Sequence, residues 1–379
     1  VKIIHIVENL DKGAVENWLV NVFLKSREIR PDWQWTFYCI LGQEGRLDEV
    51  VRKAGGIILY SPVTISQKLP FLRYLRSTLQ IGQYDIIHAH HDYLSGFYLL
   101  ASIGIKAKKR ILHIHNTDKE LPVGNRVLKC LLLAPLKRLA FGLSDTIVGI
   151  SKDTLAEFKG KTKNKRIQFK VLYYGIDLSA FTLETNQLWL KTALNIPQSD
   201  KLLLFIGRLN PLKNPVFVVD ILSEILTERK DVYALFVGQG DLKDAIIQKA
   251  LQLNVLDHIR LLGWRNDIPQ ILHSVDLFVF PRLAYPKEGL GLVVVEAQAA
   301  GLGMLLSHGI VEDAVVIRPL VHFLPNVTDT NLWAKKIMDL LDAAPPCTKE
   351  EAYRKMQSSP FELSTGTNNL LALYIGEGE

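Results

Sequence analysis

The chain has 379 residues, 48% hydrophobic and 22% charged, which excludes a disordered, collagen-like or repeat-array protein and suits two domains with sizeable cores. Its three cysteines, Cys39, Cys130 and Cys347, lie far apart in no metal-ligand spacing, so no disulfide framework is expected and a reducing cytoplasm is the expected compartment. The net charge of +6 is uneven: residues 1–180 hold 27 Lys and Arg against 16 Asp and Glu, the remainder 18 against 23, which points the first half toward something anionic, with nucleic acid and an anionic membrane as candidates.

The opening VKIIHIVENL reads as a first strand and not as a signal peptide. No uncharged apolar run reaches the length of a spanning helix. Apolar runs then recur: WTFYCIL, DIIHAHH, RILHIHN, DTIVGIS and FKVLYYG are expected strands of a parallel sheet covered on both faces. Ala14–Ser26 and Leu69–Leu79 carry helical spacing between them. The alternation pauses over Asp177–Asp200, a more polar stretch with an Asn-Ile-Pro turn signal. It restarts with KLLLFIG, YALFVG, IRLLG, LFVFP and GMLLS. A terminal helix is expected over Asn368–Ile375, after a loop at Ser358–Pro360. The whole is α/β, two Rossmann-like doubly wound halves with a hinge near 178–200.

Ligands of open α/β sheets bind beyond the carboxyl ends of strands, and unusual residues gather there. In FIGRLNPLKNP, Arg208 and Lys213 follow the strand end at Gly207, before a helix that Asn214-Pro215 can start. A fork, a point charge and free amides suit a diphosphate; two solvated surface cations are the plain alternative. In PKEGLGLVVVEAQAAG, Gly289 and Gly291 let the backbone approach a ligand, and a helix is expected from about Leu292 to Ala300. Glu288 and Glu296, eight apart, can hold two hydroxylated parts of one ligand, although a glutamate at a helix start also simply favours the dipole. The turn Asn9–Ala14 has a single glycine, Gly13, and is not a dinucleotide fingerprint. His88, His90, His91, His113 and His115 lie at strand ends. None has a helical i, i+4 partner or an accompanying cysteine, so no metal is expected. His113 and His115 share a strand face, where a neutral imidazole can hydrogen-bond a sugar or be purely structural.

Taken together, the motifs resemble the family 4 (GT4) retaining glycosyltransferases of the GT-B fold over essentially the whole chain. EGLGLVVVEAQAAG, with seven residues between Glu288 and Glu296, matches that family's EX7E motif. GRLNPLKN at 207–214 matches its GRL-x-x-x-K element, and VLYYGIDLSAF and VGISK resemble the end of its first domain. VGQGDLK, with Gly238, and LLGWRNDIPQIL, with Gly263, resemble its turns around the nucleotide base.

The resemblance implies two Rossmann-like domains facing across a cleft. An acceptor-binding domain would span 1–180 and a nucleotide-sugar domain 181–357, with 358–379 packing back on the first. It implies that Arg208 and Lys213 hold the donor diphosphate, Glu296 the ribose, and Glu288 the sugar, with the amides of Gly289, Leu290, Gly291 and Leu292 helping. Gly263 would contact the base, Gly13 the phosphates, and His115 the sugar near the reacting carbon. No metal or other cofactor is implied.

The implied activity is retaining transfer of a hexose from a UDP-sugar, UDP-glucose first, to a glycan or lipid-linked acceptor, as in bacterial exopolysaccharide or envelope polysaccharide synthesis. A non-catalytic sugar-nucleotide-binding protein of the same fold is the alternative. The basic, leucine-rich segment Val123–Phe141 and the clusters Lys106–Arg110 and Lys159–Arg166 suit peripheral contact with an anionic membrane on the inner face of the plasma membrane. An ordinary helix packing on the sheet is the other reading of that segment. A nucleic-acid partner is disfavoured, because no aromatic-interleaved basic motif is present.

Overall fold

The computed structural model describes residues 1–11, 13–116, 126–160, 166–182, 188–325 and 327–375, with side chains of 126–132 undescribed. It separates into two compact units, Val1–Asp177 with Pro360–Glu379, and Leu178–Ser359.

The first unit runs β1 (Lys2–Val7), α1 (Ala14–Ile29), β2 (Gln34–Cys39), α2 (Asp48–Lys53), β3 (Ile57–Tyr60), α3 (Lys68–Gly82) and β4 (Ile86–Ala89). It continues with α4 (Leu94–Leu99), β5 (Lys109–Ile114), α5 (Arg126–Leu143), β6 (Thr146–Gly149), α6 (Lys152–Lys159) and β7 (Gln168–Val171). The second unit runs α7 (Trp189–Ala193), β8 (Lys201–Ile206), α8 (Pro215–Glu228), β9 (Val232–Val237), α9 (Lys243–Gln252), β10 (Ile259–Gly263) and α10 (Ile268–His273). There follow β11 (Leu277–Phe280), α11 (Leu292–Ala299), β12 (Met304–Ser307), β13 (Val321–Leu324), α12 (Thr330–Asp342) and α13 (Lys349–Gln357). A last helix, α14 (Leu363–Ile375), belongs to the first unit and packs on α1.

Both sheets are built of parallel pairs, ordered β3-β2-β1-β4-β5-β6-β7 and β10-β9-β8-β11-β12-β13. In each, the first strand of its unit is the point where strand order reverses: β1 lies between β2 and β4, and β8 between β9 and β11. Such a switch point splays the following loops apart and opens a crevice at the carboxyl ends of the two neighbouring strands. The central strands are unbroken apolar runs because helices cover both faces; Leu202, Leu203, Leu204 and Phe205 of β8 are all fully buried.

Two edge strands, β3 and β13, escape the sequence reading. Each has four residues, three of them only part-buried; β13 is interrupted by His322, while β3 is an apolar run that the sequence reading passes over. The polar stretch after Asp177 holds a 3-10 turn over Ser179–Phe181 and the short α7.

Several cations of the basic clusters turn out to be committed within the first unit. Lys109 Nζ donates to the carbonyl of Leu373 at 2.6 Å, and Arg110 donates to Ser102 Oγ at 3.0 Å and to the carbonyl of Ile105 at 2.7 Å. Lys108 lies 3.8 Å from Asp85. Lys137 sits over the rings of Phe141 and Phe158, and Lys159 over Phe169. Helix α5 packs against α4, which supports the packed-helix reading of that segment. Lys161, Lys163 and Lys165 lie outside the described residues. No described helix is long and apolar enough to cross a membrane.

Candidate functional site

The second unit gathers most of the expected residues at its switch point. The chain leaves β8 through Gly207 and Arg208, folds back, and enters α8 at Asn214. Asn210 Oδ1 accepts from the amide of Lys213 at 3.0 Å, and Asn214 adopts a left-handed conformation (φ 55°) that lets Pro215 occupy the first helical position. From β11, adjacent to β8, the chain continues to Arg282, and the amide of Leu283 donates to the carbonyl of Leu212 at 2.9 Å. The two loops are thereby tied together.

That tie places a small ionic cluster. Glu288 Oε2 accepts from both Lys213 Nζ and Arg282 Nε, the latter at 2.7 Å. Burial alone pushes the Glu288 carboxyl up, but the two cations outweigh it and hold the pKa below the ordinary value. Arg282 is 1% exposed and also donates to the carbonyls of Leu283, at 3.0 Å, and Pro286. Lys213 rests over the Phe280 ring, 5.2 Å from its centre. Arg208 is exposed, and its guanidinium forms no ion pair among the described residues.

Beyond Glu288 come Gly289 and the buried Leu290, then Gly291, which caps α11 with φ 80°, a conformation that favours glycine. The first amides of α11, beginning at Leu292, have no partner within the helix and carry the positive end of its dipole. Glu296 is its fifth residue, so it sits a full turn in, deeper than a first-turn carboxylate. Its side chain is only partly accessible, and burial pushes its pKa up to about 7. Gln298, fully buried, fixes the helix: its amide donates to the carbonyls of Val294 and Ala314 at 2.9 and 2.7 Å. Its oxygen accepts from the amides of Val316 and Ile317 at 2.8 and 2.7 Å. Nearby, Gly238 approaches β8 so closely that an added Cβ would lie 2.0 Å from the carbonyl oxygen of Gly207. The amide of Gly238 donates to the carbonyl of Gly263 at 2.8 Å. One side of the site is therefore bare backbone.

Gly13 and His115 belong to the first unit. Gly13 caps α1, and Glu16 Oε2 rests against it where a Cβ would stand. His115 lies in a row of five buried histidines that share one sheet face: His5 from β1, His88 and His90 from β4 and its end, His113 and His115 from β5 and its end. Tyr374 Oη contacts His88 Nδ1 at 2.8 Å and His5 Nε2 at 3.4 Å. His5 Nδ1 meets His90 Nε2 at 2.9 Å, His90 Nδ1 meets His115 Nε2 at 3.2 Å, and His115 Nδ1 meets the Tyr174 hydroxyl.

Burial holds all five rings below the ordinary histidine range, so they are neutral. Both nitrogens of His115 are engaged, so a ring-nitrogen contact to a sugar requires it to release Tyr174 or His90. Two triplets, His5 with His88 and His90, and His90 with His113 and His115, offer nitrogens within 4.8 Å of one another. The sequence expectation of no metal rested on helical spacing. Here the rings come from three neighbouring strands, which spacing does not reveal.

Beside this row is a cavity of about 450 Å³ at the carboxyl ends of β1, β4 and β5. Apolar side chains form most of its wall, including Val15, Leu19, Leu94 and Leu136, with Glu8, Glu16, Asp92 and His115 among the polar ones. Neither Arg282 nor Glu16 stands out in the sequence. The only trace of the first is a cation two residues beyond an apolar strand. The second reads as an ordinary acidic residue in a helix's first turn.

The model of the family described as Glycosyltransferase Family 4 matches residues 32–180, and that of Glycosyl transferases group 1 matches residues 190–357. The chain is 26% identical over 348 residues to a Bacillus subtilis protein named as glycosyltransferase EpsF, covering 91% of this chain and 89% of the relative. It is 24% identical over 363 residues to the UDP-Gal:alpha-D-GlcNAc-diphosphoundecaprenol alpha-1,3-galactosyltransferase of Escherichia coli, covering 85% and 84%. Among solved structures, Anabaena HepE in complex with UDP superposes with a TM-score of 0.79 at 17% identity, over 98% of this chain and 99% of that one. WaaG, described as a glycosyltransferase of lipopolysaccharide biosynthesis, gives 0.73 at 15%, over 99% and 100%.

Proposed function

Because the chain belongs to the family 4 glycosyltransferases of GT-B fold, and is therefore a sugar-transferring enzyme, we propose that it moves a hexose from a UDP-sugar to a glycan or lipid-linked acceptor with retention of anomeric configuration. The observation that carries the donor half is the convergence of Arg208, Lys213, Glu288 and the N-terminus of α11 at the ends of two adjacent strands. The UDP-bound relatives of the same fold support UDP as the nucleotide, and one of them, HepE, is described in complex with UDP-glucose. UDP-glucose is accordingly the first donor to try. The relatives named for capsule and lipid-linked sugar assembly support an envelope or exopolysaccharide setting on the cytoplasmic side of the membrane.

In this reading the exposed fork of Arg208 and the amides of α11 neutralise the diphosphate as its bond to the sugar breaks. Lys213 divides its charge between that diphosphate and Glu288, so the sugar-holding carboxylate and the leaving group are coupled through one ammonium. Glu288 accepts from sugar hydroxyls and Glu296 from the ribose diol. The acceptor oxygen bonds to the anomeric carbon on the face the phosphate leaves, and its proton passes to the departing phosphate oxygen. Because Arg208, Lys213 and the helix end supply the positive charge, the reading requires no metal.

The test is UDP release from UDP-glucose, UDP-galactose and UDP-N-acetylglucosamine, alongside melting curves with UDP-, GDP- and ADP-sugars. A bound ligand raises the transition according to its occupancy. Glu288→Gln keeps an acceptor for Arg282 and is expected to lower release at least a hundredfold with the fold intact. Stabilisation only by non-UDP nucleotides overturns the donor assignment. UDP binding without release, unaffected by Glu288→Gln, points to a non-catalytic sugar-nucleotide-binding protein.

A further inference from the structure

The row of buried histidines holds nitrogens that its own hydrogen bonds leave over. His113 is fully buried, and neither nitrogen of its ring has a hydrogen-bond partner among the described residues. Its ring stacks on that of His115, with centres 4.3 Å apart, and its centre lies 5.3 Å from that of His90. A buried polar group without a partner is costly, and it calls for a bound water or ion.

One nitrogen from each of His90, His113 and His115 falls within 4.8 Å of the others. His90 Nδ1 and His115 Nε2 are 3.2 Å apart. A tetrahedral zinc ion with bonds of about 2.0–2.1 Å to nitrogen spaces its ligands about 3.3 Å apart, so this pair already has the spacing of one edge. The His113 nitrogen must close in by about 1.5 Å at most to meet that spacing. A turn of its ring about the broad χ2 torsion moves it without breaking a hydrogen bond.

The proton count of neutral rings also allows an ion here. For His90 Nδ1 and His115 Nε2 both to present lone pairs, each ring must carry its proton on the other nitrogen. His90 Nε2–H then donates to His5 Nδ1 at 2.9 Å, and His5 Nε2–H to the Tyr374 hydroxyl at 3.4 Å. His115 Nδ1–H donates to the Tyr174 hydroxyl. The His90–His115 hydrogen bond is given up, and both rings keep an outer acceptor of the kind that orients metal-ligating histidines.

His90 and His115 also line the cavity of the first unit, which gives an ion a route in. The cavity wall carries Glu8, Glu16 and Asp92, with no Lys or Arg among the described lining residues, so its charge favours a cation. We propose that His90 Nδ1, His115 Nε2 and a ring nitrogen of His113 bind one divalent ion of the zinc class, with water from the cavity as fourth ligand. Three imidazoles without a carboxylate select a borderline-soft transition metal over magnesium or calcium. The other triplet, His5 with His88 and His90, reaches the cavity only through His90, so it is the less accessible of the two. The site lies wholly within the first unit and does not rest on the glycosyltransferase reading.

The experiment titrates the full chain, first stripped with a chelator, with Zn2+ in competition with a chromogenic chelator, and with Co2+ followed by its visible spectrum. One zinc per chain is expected, a raised melting transition with it, and the intense bands of four-coordinate Co2+. His113→Phe should weaken zinc binding by more than the roughly tenfold to hundredfold that loss of an outer partner costs, and Tyr174→Phe, which removes the acceptor of His115 Nδ1–H, by about that amount. His308→Gln/His322→Gln, in the second unit, should bind as the unaltered protein does. Melting curves check each variant, and if His113→Phe does not fold, Tyr174→Phe decides alone. The proposal is overturned by the lack of stoichiometric zinc uptake, which leaves a buried water as the occupant. Uptake that the folded variants at 113 and 174 leave within about threefold, or that the pair at 308 and 322 abolishes, overturns it equally.

Discussion

Arg282→Met tests the reasoning about the ionic cluster most directly. The substitution keeps a long apolar stem and deletes a guanidinium that is 1% exposed. It removes a 2.7 Å charge-assisted bond to Glu288 and the bonds to the carbonyls of Leu283 and Pro286. Breaking a buried ion pair by removing one partner costs about 3–5 kcal/mol. Lys213 remains beside Glu288 as a second cation, so the lower end, about 3 kcal/mol, is expected. For a unit of this size that corresponds to a drop of roughly 6–12 °C in its melting transition.

The loss should also depend on pH. The folded-state pKa of Glu288 is lowered, so the stability it contributes is fully present above its ordinary value of 4.5 and disappears as pH falls through the lowered one. The gap between the unaltered protein and Arg282→Met should therefore narrow at low pH. Calorimetry at pH 7 and at progressively lower pH measures both, with Arg282→Met/Glu288→Gln closing a double-mutant cycle. The double variant should be more stable than the sum of the single losses by about 1–3 kcal/mol. A single-variant loss under about 1 kcal/mol, or strict additivity, would refute the cluster as described.

Glu296 carries the opposite pH signature. Its folded-state pKa is raised from 4.5 to about 7, so the folded protein holds a proton that the unfolded chain has released, and stability falls as pH rises between those two values. Glu296→Gln should flatten that segment of the urea-denaturation profile; an unchanged slope would show that the carboxylate is solvated after all. Gly238→Ala places a Cβ 2.0 Å from the Gly207 carbonyl oxygen, at a φ of 135°. A loss of at least ~2 kcal/mol is expected by urea denaturation, since both the strain and the overlap must be relieved by backbone movement.

Much of the loop cluster at the switch point of the second unit was legible because its signals are local. The strand ends at Gly207 and Phe280, the Asn214-Pro215 helix start and the glycines before α11 all act through neighbours in sequence. What escaped depends on distant partners. Arg282 looks like a loop cation until β11 is set beside β8 and Glu288 comes within reach. Lys109 looks like part of a basic patch until the terminal helix supplies the Leu373 carbonyl. Glu16 becomes notable only when the ends of β1, β4 and β5 enclose a cavity above it. Of the two strands that escaped, β13 is interrupted by His322, whereas β3, Ile57–Tyr60, carries an unbroken apolar run that was legible.

The buried histidines have a consequence for proton bookkeeping. A neutral imidazole has one N–H and one lone pair, so each contact in the row dictates the next. If Tyr174 donates to His115, then His115 donates to His90, His90 to His5, His5 to Tyr374, and Tyr374 to His88. If His88 donates to Tyr374 instead, every step reverses and His115 donates to Tyr174. With all rings neutral, all contacts kept and the Tyr374 hydroxyl donating within the row, these are the two arrangements. The tautomer of His115, at the edge of the cavity, is thus settled jointly with a tyrosine on α14 near the far end of the sequence. The last helix contributes to the chemistry of that edge without lining it.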